Sequence, residues 1–261
     1  MSWDEESDSI MTADELFSAS FQGDYEDEQP WDAVRVLRRR DSDQVFQTAA
    51  AYCRSEIPIH RARALDVLAQ LGAGKPVAER HHFNDSVSIA AAHLDDEDPL
   101  VARSAAWALA HLQGERAISS LISLSKCADA QVRRAVAVGM AGSDRPDAIN
   151  TLVELMEDDD DEVRNWATFG LGNVGFGSLD SPDIREALRR RLNDSFSEVR
   201  DEAVWGLARR RDPAALRLLM HRLNSEEWID GDEMAAAEVL GLDYDAPVET
   251  LLTGLTNLVH N

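Results

Sequence analysis

The 261-residue sequence predicts an all-α protein, an α-solenoid of stacked helix pairs. One observation is a helix that the chain rewrites. It reads DEVRNWATFGLG at 161–172 and recurs from Val132-Arg133 to Gly142, and from Val199-Arg200 to Ala208. It recurs again from Pro99 to Gly114, where Arg103 leads Ala106 and Leu109, and in a more divergent copy from Pro58 to Gly72 with Arg61. A second is the period: Arg103, Arg133, Arg164 and Arg200 lie 30, 31 and 36 residues apart, the spacing of a two-helix repeat. A third is what is missing. There is no strand-like alternation and no Gly-rich strand-to-helix turn, which excludes a Rossmann domain or a P-loop.

Taken in order, residues 1–11 are acidic and poor in apolar side chains, which predicts a disordered tail. Residues 12–261 are expected to form a single solenoid domain with terminal capping helices. Thr12 and Glu15 have the spacing of a capping box, predicting a first helix over 13–22. Pro30 marks the start of a second, over 31–40. Pairs follow at 43–54 with 58–71, 86–94 with 99–112, 115–126 with 130–141, and 146–156 with 161–172. Two more are at 182–193 with 197–210 and 213–223 with 233–241, and a last helix spans 247–259. The first helix of each later pair carries a leucine or isoleucine stripe at spacings of three and four, as in Ile149, Leu152 and Leu155, so one face is apolar. The loops at 72–76 and 175–182 are too rich in breakers to be helical.

The formal net charge of -23 repels phosphate backbones and anionic lipid surfaces, so neither nucleic acid nor a membrane is an expected partner. No apolar run approaches a membrane span and no signal peptide is visible. Cys53 and Cys127 lack metal-site spacing and read as two buried thiols in a reducing, cytoplasmic setting. The acidic runs at 95–98 and 157–162 lack the alternation and turn glycine of a calcium loop, and read as helix caps along an acidic rim. His81, His82, His93 and His111 are a weak zinc pattern, and no nucleophile motif is present; no metal, cofactor or catalytic residue is assigned. The arginine triplets at 189–191 and 209–211 belong to one pair and suggest a local basic spot.

The units resemble HEAT repeats of the short kind found in the phycobilin-lyase-like group. The likeness rests on Asp161-Glu162-Val163-Arg164 with Ala167 and Gly170-Leu171-Gly172, and on Ser197-Glu198-Val199-Arg200 with Ala203 and Leu207. It covers residues 30–242 and implies about seven helix pairs in a right-handed superhelix. It also implies that Arg103, Arg133, Arg164 and Arg200 form an inter-repeat ladder, each reaching an acid or carbonyl of the adjoining unit. The second helices would line the concave surface, placing Trp107, Trp166, Phe169, Asn173 and Trp205 there. These aromatics are either partner anchors or fillers of gaps left by alanine and glycine.

The expected function is a non-catalytic interaction scaffold. It would be monomeric on its own and grip a basic protein partner through its concave face and acidic rim. The alternatives are a subunit of a bilin lyase-isomerase enzyme, as the resemblance allows, and a single-partner inhibitory or immunity-type protein.

Overall fold

The computed structural model describes residues 11–40, 42–72, 75–76, 79–80, 82–112, 115–174, 179–225 and 230–260. The tail expected over 1–11 lies outside these residues but for Met11, as do His81, Gly114 and positions 175–178 of the breaker-rich loop. The described residues contain fifteen α-helices, one π-helical turn and no strand. The chain divides into two compact units, Met1–Gly139 and Met140–Asn261.

The first unit holds α1 (Ala13–Ser20), α2 (Glu28–Arg40), α3 (Asp43–Tyr52), α4 (Pro58–Ala69), α5 (Phe83–Ala92), α6 (Pro99–Leu112), α7 (Glu115–Ile122) and α8 (Ala130–Met140), whose last residue crosses into the second unit. The Thr12–Glu15 capping box forms as the spacing predicts. Helix α2 begins at Glu28, earlier than Pro30 suggests. Proline is tolerated there because the first turn's N–H groups have no partner within the helix. Helix α1 packs on α2, α3 on α4, and α4 lies along α6. Alanines make the close approaches possible. Ala106 and Ala110 of α6 meet Val132 and Ala135 of α8, and a Cβ on Gly139 would stand 2.8 Å from the Ala110 Cα.

The second unit holds α9 (Pro146–Leu155), α10 (Asp161–Phe169), α11 (Pro182–Arg191), α12 (Ser197–Arg209), α13 (Pro213–Asn224), α14 (Asp230–Leu240) and α15 (Val248–His260). Proline opens α9, α11 and α13, and side chains of Asp160, Ser181 and Asp212 cap α10, α11 and α13. Each first helix packs on its own second helix, and the second helices α10, α12 and α14 stack in sequence. That is the arrangement in which a repeat buries its core only against its neighbours.

One helix end departs from expectation. The pattern predicts a stop at Gly172, but α10 gives way at Gly170–Val174 to a π turn. Gly172 does not adopt the left-handed conformation that caps α8 at Gly142 (φ 75°) and α14 at Gly241 (φ 67°). It serves close packing instead: a Cβ on Gly206 of α12 would come within 2.6 Å of the Gly172 Cα, and one on Gly172 would stand 3.2 Å from the Glu202 carbonyl oxygen. The buried Arg210 then fills the bonding capacity of this irregular backbone. Its guanidinium donates to the carbonyls of Leu171, Gly172, Leu179 and Gly206. Burial pulls Arg210 down to about 10, so it stays cationic at neutral pH.

Candidate functional site

The repeating arginine has two roles, which Arg61 and Arg164 combine, whereas Arg200 bonds only its own turn among the described residues and so departs from the expected ladder. Through its own turn the arginine bonds carbonyls five or six residues upstream: Arg61 to Ser55, Arg133 to Cys127 and Ala128, Arg164 to Asp158 and Asp159, Arg200 to Asp194 and Ser195. Three repeats also show a bond to a turn aspartate of the following repeat. Arg164 grips Asp194 in a bidentate pair at 3.0 and 2.9 Å, and Arg61 grips Asp96 at 2.9 and 2.7 Å. Arg103 reaches one oxygen of Asp129 at 3.2 and 3.0 Å. Each of these aspartates also accepts the backbone N–H two residues on, which fixes the turn. Burial alone would raise Asp194, but Arg164 and that backbone N–H hold it below the usual carboxylate range.

In the second unit, Trp166, Phe169, Asn173 and Trp205 are all half-buried. Trp166 and Phe169 meet edge to face with centroids 5.6 Å apart. Trp205 lies against Gly231, where any Cβ would strike its ring, and its indole N–H donates to the buried Asp232 at 2.8 Å. The ring is therefore held at its polar end while part of its face stays open. Asn173 is committed internally: its amide donates to Glu202 and its carbonyl accepts from Arg209, which also pairs with Glu238. On α12 and α14, Asp232 thus bonds Trp205, Asp201 and Asp232 pair with Arg222, and Glu238 pairs with Arg209.

Burial pushes Glu202 up to about 7, against the pull of Asn173 and Arg209. Between the ordinary glutamate range and pH 7 the folded state then holds a proton that the unfolded chain releases. This group's contribution to stability is full below about pH 4.5 and falls as pH rises through 7. Glu202→Gln is expected to be about 1–2 kcal/mol more stable than the parent at pH 8 and equal to it near pH 4.5. Urea unfolding at both values measures the difference, and an equal gap at the two pH values would contradict it.

In the first unit, Trp107 packs on the α6–α8 cluster and edges a cleft of about 520 Å³. The cleft's other walls include Tyr25, Glu26, Trp31, Arg38, Asp66, Arg103, His111 and Gln131. A buried network forms its floor. The Tyr25 hydroxyl donates to Asp66 at 2.9 Å and touches Ser104 at 3.1 Å. Arg63, 1% exposed, stacks over Tyr25 and Trp31 at 4.3 and 4.5 Å and donates to the carbonyls of Ser20 and Tyr25. Arg38 covers Trp31 at 5.6 Å and donates to the Asp66 carbonyl. Burial raises Asp66 to about 6, with the Tyr25 hydroxyl and the two arginines pulling the other way. The walls around His111 and the charge of Arg38 hold that imidazole below the usual histidine range. The repeat pattern gives no hint of this network, because Tyr25 and Trp31 precede the first regular repeat.

Other sequence candidates are accounted for singly. Asp160 caps α10, and Asp98 bonds the first turn of α6. His82 stacks on Phe46, and His93 bonds the carbonyls of Cys53 and Ile89. No group of three metal-ligating side chains occurs among the described residues. Within the triplets, Arg189 meets Asp212, Arg190 and Arg191 meet Glu157, and Arg209 meets Glu238, so much of the expected basic spot is paired with acids, while Arg211 is exposed. Cys53 is buried, which pushes its thiol up to about 12, while Cys127 is only half-buried. Among the described residues, no helix is long and apolar enough to cross a membrane.

No curated protein matches the sequence. Solved structures do resemble the fold. Escherichia coli YibA is 22% identical with a TM-score of 0.71, covering 100% of this chain and 98% of its own. The CpcE–CpcF complex of phycocyanin lyase from Nostoc is 18% identical with a TM-score of 0.51, covering 100% and 98%. A designed armadillo repeat protein in complex with the peptide (KR)4 is 17% identical with a TM-score of 0.51, covering 76% and 98%. A family model for HEAT repeats matches residues 87–172 and 170–241, more than half of the sequence. The chain belongs to the HEAT-repeat family.

Proposed function

We propose that the protein is a non-catalytic scaffold that binds a basic segment of another protein, and that the second helices of the second unit carry the contact. The observation behind this reading is the setting of Trp205: a half-buried aromatic ring held by Asp232 and packed on Gly231, on helices whose acids Asp201 and Glu238 are themselves paired with Arg222 and Arg209. Fixed aromatic rings lose little entropy on binding and supply most of the energy at protein interfaces. The net charge of -23 steers a lysine- or arginine-rich partner from a distance. The designed armadillo protein that holds (KR)4 has a similar fold, which supports the same class of guest. Trp166 and Phe169 would extend the contact, while Asn173 and Arg209 position Glu202.

The test is calorimetric titration with a (KR)4 peptide. Binding is expected to weaken at least about tenfold from low to high ionic strength, as screening removes the charge term. Trp166→Ala with Trp205→Ala is expected to weaken it by a further factor of about ten, with helicity unchanged. Loss of helicity in that double variant would assign the rings to the core instead. Salt-independent binding would sink the electrostatic part of the reading.

A further inference from the structure

The cleft of the first unit has donors without acceptors. Arg63, which stacks on the cleft residues Tyr25 and Trp31 without lining the cleft itself, leaves Nη1 buried with no hydrogen-bond partner, 3.8 Å from the Asp66 carboxylate. That carboxylate already accepts from Tyr25 and sits between two guanidinium groups, those of Arg38 and Arg63. Among the described residues, the Trp107 indole N–H, Arg38 Nη2, Arg103 Nη1 and the His111 ring make no hydrogen bond. Indole and guanidinium groups only donate, so their natural complement only accepts. The volume of about 520 Å³ falls within the range of small-ligand sites, ~300–1,000 Å³, and Trp31, Trp107 and Tyr25 give it aromatic walls.

We propose that this cleft binds an aromatic carboxylate, its ring against Trp107 and its carboxylate toward Arg38, Arg103 and the indole N–H. A planar guanidinium suits a planar carboxylate through paired bonds. Only Glu26, exposed at the mouth, is a wall carboxylate without a bond in the described structure, and it opposes an anion. The proposal is independent of a basic partner on the second unit. It also runs against the molecule's overall field: a protein of net charge -23 repels anions unless a local site overrides that field.

The free aromatic acid and the C-terminal aromatic residue of a peptide share this chemistry, and the test separates them. Calorimetry on the full chain would compare 2-naphthoate, 2-naphthylmethylamine, and a short peptide ending in phenylalanine with a free or an amidated terminus. Naphthoate is expected to bind and the amine not to. Glu26→Gln is expected to tighten naphthoate about threefold by removing the opposing charge. Trp107→Phe, which keeps a ring but loses the N–H, is expected to weaken it about tenfold, and Arg103→Gln about fivefold. Because Glu26 is exposed and the Arg103–Asp129 pair is partly exposed, those two variants remain informative even if Trp107→Phe unfolds. Binding of the free-acid peptide but not its amide would assign the guest to a protein C-terminus, and naphthoate alone to a small molecule. Tighter binding of the amine, weakening by Glu26→Gln, or no binding of either acid at millimolar concentration would overturn the proposal.

Discussion

Arg164→Ala is expected to lower the unfolding free energy by about 3 kcal/mol, because it removes the bidentate partner of a buried carboxylate and leaves Arg191, at 3.2 Å, as its one remaining cation among the described residues. The side chains of Arg164 and Asp194 are 9% and 4% exposed, and the same guanidinium holds the carbonyls of Asp158 and Asp159. Asp194→Ala should cost a comparable amount, since it leaves Arg164 without its main counter-charge. The double variant should fall short of the sum by about 1–3 kcal/mol, the signature of a direct pair. Arg103→Ala is the control. Its pair with Asp129 is 36% and 30% exposed, so solvent screens it and the loss should be about 1 kcal/mol or less. Denaturant unfolding, with hydrogen exchange in α10 and α12 as the local probe, separates the cases. Equal losses at Arg103 and Arg164 would show that burial does not set the strength of these pairs.

Arg210→Met should be as damaging, for a different reason. The side chain is 1% exposed, and its nearest carboxylate, Asp180, stands 3.9 Å away. Its work is to satisfy four backbone carbonyls, each at 2.7 or 2.8 Å from a guanidinium nitrogen. Each buried carbonyl left without a donor costs about 1–3 kcal/mol, so a total near 4 kcal/mol or more is expected. Methionine keeps the bulk, which isolates the lost bonds from a cavity. Arg210→Lys should recover only part, since one ammonium cannot span carbonyls that a forked guanidinium reaches together. The expected readout is faster hydrogen exchange around the π turn and the end of α12. A loss under 1 kcal/mol would mean that water replaces the guanidinium.

Every helix expected from the repeat pattern is present, and most ends fall within two residues. Caps and breakers are local. Thr12 with Glu15, and the prolines opening α4, α9, α11 and α13, act within a single turn, so the sequence carries them openly. The recurring arginine was legible for the same reason, but the turn aspartate was not, because its distance to the next arginine varies: Asp96 lies seven residues before Arg103, Asp129 four before Arg133 and Asp194 six before Arg200. Which aspartate pairs with which arginine was not legible, because that depends on how successive turns stack.

The sequence by itself determined the helix class, the two-helix period and the membership of the HEAT family, since apolar spacing and capping chemistry fix these locally. Only the tertiary structure decided the rest. It turned the end of α10 into a π turn, because Gly172 and Gly206 must meet backbone to backbone and Arg210 is there to bond the displaced carbonyls. It also joined Tyr25, Trp31, Arg63, Asp66 and Ser104 into one network across 79 residues of chain. Such a network has no sequence period, because its members come from different helices and meet only where side chains of complementary charge are desolvated together.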